Sequence, residues 1–183
     1  MSLILRKIRK KNTWEFNETA RKQGLSDGEP SVRALRDLAD GSPDQDGTEA
    51  YSDRISIFRI GADRSDFARV IAAIACARKR LEEIDYLIVE EGVIFSCSTP
   101  EECPGETPDA HVNSLHLDCL LTSAVKLVEL ARQCMKKADS CPKLDVFRAV
   151  RKSIQNGWIA DGDLPTEMRA SYDELIARKI PDR

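Results

Sequence analysis

Five side chains in the middle of the chain have the types and proximity for coordination chemistry: Cys97, Cys103, His111, His116 and Cys119. Thiolates and imidazoles are the donors that a zinc ion prefers. His116 and Cys119 are three residues apart, so a helix would turn both toward one point. Cys97 and Cys103 precede them in a Pro-rich loop. Cys97, Cys103, His116 and Cys119 therefore form the candidate metal set, with structural zinc as the candidate cofactor. Four protein ligands would close the site and leave no position for water. The spacing is looser than in zinc fingers, because no C-x-x-C pair exists and five residues separate Cys97 from Cys103. The competing reading makes Cys119 a small buried apolar residue and His116 a helix-surface side chain.

Other chemistries are thinly supplied. Only two histidines occur in 183 residues. A hydrolase triad of Ser114, His116 and Asp118 fails on a helix, where residues two apart point in different directions. No nucleophile elbow, phosphate-binding P-loop, dinucleotide fingerprint or H-E-x-x-H motif is present. The adjacent carboxylates Glu82–Glu83 and Glu90–Glu91 diverge on a helix and read as solvated faces. No catalytic residue is assigned from the sequence.

Charge is uneven along the chain. Residues 1–24 carry seven Lys/Arg and two Asp/Glu, a net of 7 − 2 = +5, and residues 25–53 carry two Arg and eight Asp/Glu, a net of 2 − 8 = −6. The cations Arg6, Lys7, Arg9, Lys10 and Lys11 form a candidate binding arm, for phosphates of a nucleic acid or for a protein partner. They could equally be neutralised by the acidic stretch that follows. The slightly acidic whole, with a net charge of −3, argues against nucleic acid as the main partner.

The elements that must position these groups read as helical. Asn12 and Glu15 suggest a capped helix over 13–23 ending at Gly24, and Pro30 opens a second over 31–40. The polar stretch 41–53 reads as a linker. Ile55, Ile57, Phe58 and Ile60 favour a strand. Phe67, Val70, Ile74, Ala77, Leu81, Ile84 and Ile88 then recur at three- and four-residue steps, predicting one long helix over 65–91. Val93–Phe95 suggests a second strand. Leu117, Leu121, Ala124, Val128, Ala131 and Met135 predict a second long helix over 110–138. Shorter helices follow Pro142, ending at Gly157, and Pro165, stopping before Pro181.

The fold expected from these patterns is mainly α, a helical bundle around two long antiparallel helices (65–91 and 110–138). A small two-stranded β element (55–60 with 93–97) would sit beside it. The division expected is an N-terminal basic and acidic appendage over 1–50 and a helical main domain over 51–183. With no signal-like segment and no apolar run near the roughly 20 residues of a membrane span, a cytoplasmic location is expected. The six cysteines then read as free thiols or ligands. The function expected is a non-enzymatic interaction subunit or adaptor of a larger assembly, with protein partners. The alternative is a nucleic-acid-associated protein using the basic arm, braced by zinc.

Overall fold

A computed structural model describes residues 2–39 and 54–178. Its centre is a six-stranded antiparallel sheet, which overturns the helical bundle expected above. The strands are β1 (Leu3–Lys7), β2 (Arg54–Ile60), β3 (Ile84–Glu90), β4 (Ser98–Glu102), β5 (His116–Leu121) and β6 (Ala138–Cys141), in the spatial order β4-β5-β2-β1-β3-β6. Every neighbouring pair is antiparallel. Residues 3–7, which the sequence placed in an appendage, form a central strand between β2 and β3.

Helices cover both faces, giving an α+β sandwich. The first face holds Leu5, Phe58, Ile60, Ile84 and Tyr86 against helices α3 (Phe67–Ala77), α7 (Lys143–Gln155) and α8 (Thr166–Ala177). The second holds Ile4, Ile55, Ile57, Leu87, Val89, Leu117 and Cys119. It is covered by helices α2 (Val32–Leu38), α4 (Glu91–Phe95) and α6 (Ala124–Cys134), with the buried Trp14. The remaining short helices are α1 (Glu18–Lys22) and α5 (Ala110–Leu115). Strand alternation sorts residues between the faces: along β1, Leu5 goes to one core and Ile4 to the other.

Neither long rod forms. The 65–91 segment is helical only through Ala77. Lys79 then takes φ +58°, its N–H donates to the Cys76 carbonyl and that of Arg80 to the Ala75 carbonyl. This is a Schellman ending made without glycine. The chain returns as β3, whose run Ile84-Asp-Tyr-Leu-Ile-Val89 is β-branched and aromatic. The 110–138 segment splits into α5, β5 and α6, with the Ser123 hydroxyl accepting from the Lys126 N–H at the start of α6. Lys136, at φ +64°, ends it before β6.

The expected strand over 55–60 forms as β2, but 93–97 does not pair with it. Residues 91–95 make the short turn of α4, and the strand follows at Ser98. The expected 13–23 helix is a 3-10 turn over Lys11–Trp14 and then α1, with Asn17 rather than Asn12 as cap. The linker expected at 41–53 lies outside the described residues, as do residues 179 and 180 of the expected last helix, whose described part ends at Ala177.

Candidate metal centre

The β5 strand decides which side chains can meet. Residues two apart on a strand share a face, so His116 and Asp118 point to one side and Leu117 and Cys119 to the other. Cys119 and Cys97 are both buried in the second core, and burial pushes the Cys119 thiol up to about 11. The four-donor set expected from the sequence is thus divided by the sheet, and Cys97 and Cys119 sit away from His116. The helical spacing that joined His116 to Cys119 does not exist.

A different group forms on the half-exposed face. Cys103, His116 and Asp118 bring one ligand atom each to within 4.8 Å of one another. Cys103 arrives from the end of β4, which pairs with β5 in a register setting Glu102 against Leu117 and Glu101 against Asp118. From the other side β2 sets Ser56 against Asp118 and Phe58 against His116. The Phe58 ring meets the imidazole edge-on at 5.0 Å.

Hydrogen bonds fix the imidazole tautomer. Nδ1 lies 2.5 Å from the Cys103 carbonyl oxygen, which can only accept, so neutral His116 carries its proton on Nδ1. Nε2 then presents its lone pair, and the Ser56 hydroxyl donates to it at 2.6 Å. A backbone carbonyl holding one ring nitrogen so that the other is free to ligate is the usual outer support of a metal-bound histidine. Asp118 lies 4.0 Å from Nε2. Its charge and its hydrogen bond with Cys103 raise the Cys103 thiol above its ordinary value. Arg54 balances the acids, with Nη1 at 3.3 Å from Glu101 and 3.8 Å from Asp118.

The turn between β4 and α5 is tied to the site. Asn113 Oδ1 accepts from the Thr107 N–H and hydroxyl, and Asn113 Nδ2 donates to the Thr107 carbonyl. Asp109 is fully buried, caps α5 through the His111 and Val112 N–H groups, and takes both Nε and Nη2 of Arg69. His111, the other histidine, is on the outside of α5 and bonds Asp66 at 2.9 Å. It does not join the Cys103 group.

The basic arm is also divided. Arg6 is 3% exposed and spans the sheet and α2, donating to the carbonyls of Ser56 and Asp37. Arg9 and Lys10 are exposed, while Lys7 and Lys11 are half-buried. Of the two apolar series, Val70, Ile74, Leu81, Ile84, Leu117, Ala131 and Met135 are buried in the two cores. Among the described residues, no helix is long and apolar enough to cross a membrane.

Sequence reasoning missed Asp118 as a donor and Ser56 as its neighbour. The period-two signal was there, in the alternation of His116, Asp118 and Leu120 with Leu117 and Cys119. Comparison with protein families, with curated proteins and with solved structures finds no match for this chain.

Proposed function

We propose that this protein binds a zinc-class divalent ion through Cys103 Sγ, His116 Nε2 and an Asp118 carboxylate oxygen. The observation that carries the reading is the convergence of those three donors on one sheet face. It is supported by a tautomer that already offers Nε2 outward. Bond lengths of about 2.0–2.3 Å put tetrahedral ligands roughly 3.5 Å apart, so the three atoms need to draw in by about 1 Å. One thiolate and one carboxylate balance a dication, and the imidazole adds no charge. Soft sulfur with nitrogen and oxygen favours zinc over magnesium or calcium.

Three protein donors leave a fourth position open, the arrangement of sites that bind water or an exogenous ligand rather than closed structural sites. The Ser56 hydroxyl borders that position and gives up its bond to Nε2 when the ion arrives. Binding must expel the Cys103 proton, held tightly beside Asp118. Affinity should therefore rise about tenfold per pH unit while the free thiol remains protonated.

The test is titration of the metal-free chain with zinc, and with cobalt as a spectroscopic stand-in. One equivalent should bind, with sulfur-to-cobalt charge transfer in the near ultraviolet, one proton released, and loss of binding in Cys103→Ser and His116→Gln. Undiminished binding in both variants would defeat the assignment, and so would a titration without saturation.

A further inference from the structure

Ser56 takes no part in the metal set, yet its hydroxyl is the group bonded to His116 Nε2, at 2.6 Å. The two residues stand on β2 and β5, which pair antiparallel. The imidazole is fixed on its other sides: Nδ1 bonds the Cys103 carbonyl, and the Phe58 ring packs edge-on at 5.0 Å. A hydroxyl bonded to one imidazole nitrogen, while an acceptor orients the other, is the arrangement that activates a serine nucleophile. A backbone carbonyl plays the orienting part here.

We propose that in the metal-free protein Ser56 is a nucleophile and His116 its general base, acting on activated carboxylic esters. Nothing in this pairing requires an ion. Ser56 Oγ bonds to the ester carbonyl carbon while its proton passes to Nε2. The tetrahedral adduct then collapses, and the leaving oxygen departs with that proton. Water attacks the acyl-serine by the same route, releasing the carboxylic acid and restoring the hydroxyl. Asp118, 4.0 Å from Nε2, favours the imidazolium that forms between the two proton transfers.

Cys103 borders the same nitrogen, with its sulfur within 4.8 Å of the other two donors. Its thiol is bonded to Asp118 and pushed above its ordinary value, which keeps it protonated. The hydroxyl already seated on Nε2 is the better-placed nucleophile.

Position in the fold sets the substrate class. Ser56 lies within a strand, not at the strand-to-helix turn where backbone N–H groups gather into an oxyanion hole. One such donor is worth about 10²–10³ in rate. Esters with a good leaving group should therefore react and amides should not. Arg54, two residues along β2 on the same face, adds its positive charge while staying paired with Glu101 and Asp118.

The test uses the full chain, stripped of metal with a chelator, and p-nitrophenyl acetate. A burst of about one equivalent of p-nitrophenol is expected before slower turnover, with the acetyl group mapped to Ser56 by mass spectrometry. Ser56→Ala and His116→Gln should each slow the burst by about 10²-fold or more. Ser114→Ala, at an exposed position of α5, should leave it unchanged, and circular dichroism should show all four chains folded alike. No burst, an equal burst in Ser56→Ala, or an acetyl group on Cys103 would each overturn the proposal. Zinc bound through His116 should abolish the burst by occupying Nε2, and a full burst in that state would overturn it too. A chain that takes up no zinc sinks the metal assignment alone, and the burst still decides the nucleophile.

Discussion

Removing the Arg69 guanidinium tests the clamp that sets α5 against α3. Arg69 bonds Asp109 at both carboxylate oxygens, 2.5 Å from Nε to Oδ2 and 2.9 Å from Nη2 to Oδ1. It also lies 4.5 Å above the Trp158 ring. The Asp109 side chain is 0% exposed and that of Arg69 is 20% exposed. Arg69→Met keeps the packing length but leaves a buried carboxylate with only the two backbone donors of α5. Breaking a buried pair from one side costs about 3–5 kcal/mol. The surviving backbone bonds and the partial exposure of Arg69 place this pair near the lower end, and loss of the ring contact adds about 1 kcal/mol. The expected loss is about 4 kcal/mol, equivalent to a Tm lower by roughly 8–16 °C for a chain of this size. Arg69→Lys, which keeps the charge but not the fork, should lose about half as much. Lys79→Ala, whose ion pair with Glu167 is 60% and 57% exposed, should leave the unfolding midpoint almost unchanged. Urea unfolding followed by circular dichroism measures all three. If Arg69→Met falls within the range of Lys79→Ala, the buried pair does not hold the α5 region and the reasoning fails.

Two further perturbations separate the site from the fold. A Cβ on Gly105 would stand 3.1 Å from Asn113 Oδ1 and 3.4 Å from His116 Cβ. Asn113 is pinned by its bonds to Thr107, so Gly105→Ala should push the Cys103 turn outward and weaken zinc binding by about tenfold, as loss of outer support does. Unchanged zinc affinity in calorimetry would refute that coupling. Burial raises the Asp37 carboxyl above 3.8, outweighing the bonds from Trp14 and Arg9 that lower it. With the folded value above the unfolded one, its contribution to stability is fully present below the unfolded value and is lost as pH rises through the folded one. Asp37→Asn turns an amide N–H toward a donor and should cost about 1–2 kcal/mol at neutral pH. The gap to the native chain should widen as pH is lowered through the folded value, because only the native chain gains from protonating this group. A gap that narrows over that range, in urea titrations at each pH, would reverse the sign.

The elements that the sequence places well are those bounded by punctuation. Pro142 and Gly157 frame α7, with Gly157 at φ +68°, and Pro165 opens α8. The failures share one cause. A step of four is even, so residues four apart lie on one side of a strand as well as of a helix. Ile84 and Ile88 satisfy both periods, and so do Leu117 and Leu121. What would have divided the rods is a turn signal, and the left-handed residues that end α3 and α6 are Lys79 and Lys136 rather than glycines. Nothing in their residue type announces a backbone reversal. At His116 the helix passes directly into the strand, with no loop residues to mark the change.

The same error of period hid the metal group while leaving two of its members visible. Cys103 and His116 stand out by type, whatever the local structure. Their partners depend on whether residue 116 is read at 3.6 or at 2 residues per turn. The helical period selects Cys119 and discards Asp118; the strand period does the reverse, sending Cys119 into the second core and lining Asp118 up beside the imidazole. Ser56 lies sixty residues away from His116 in sequence and is brought in by the β2–β5 register alone. No local pattern can encode that distance. The β4–β5 pairing supplies Cys103 by an independent register on the opposite edge of β5. A slip of one residue in either pairing would turn its contribution to the far face. The site is therefore a property of two strand pairings meeting on one strand, so Cys103 and His116 could be named from composition, but Asp118 and the combination had to wait for the sheet.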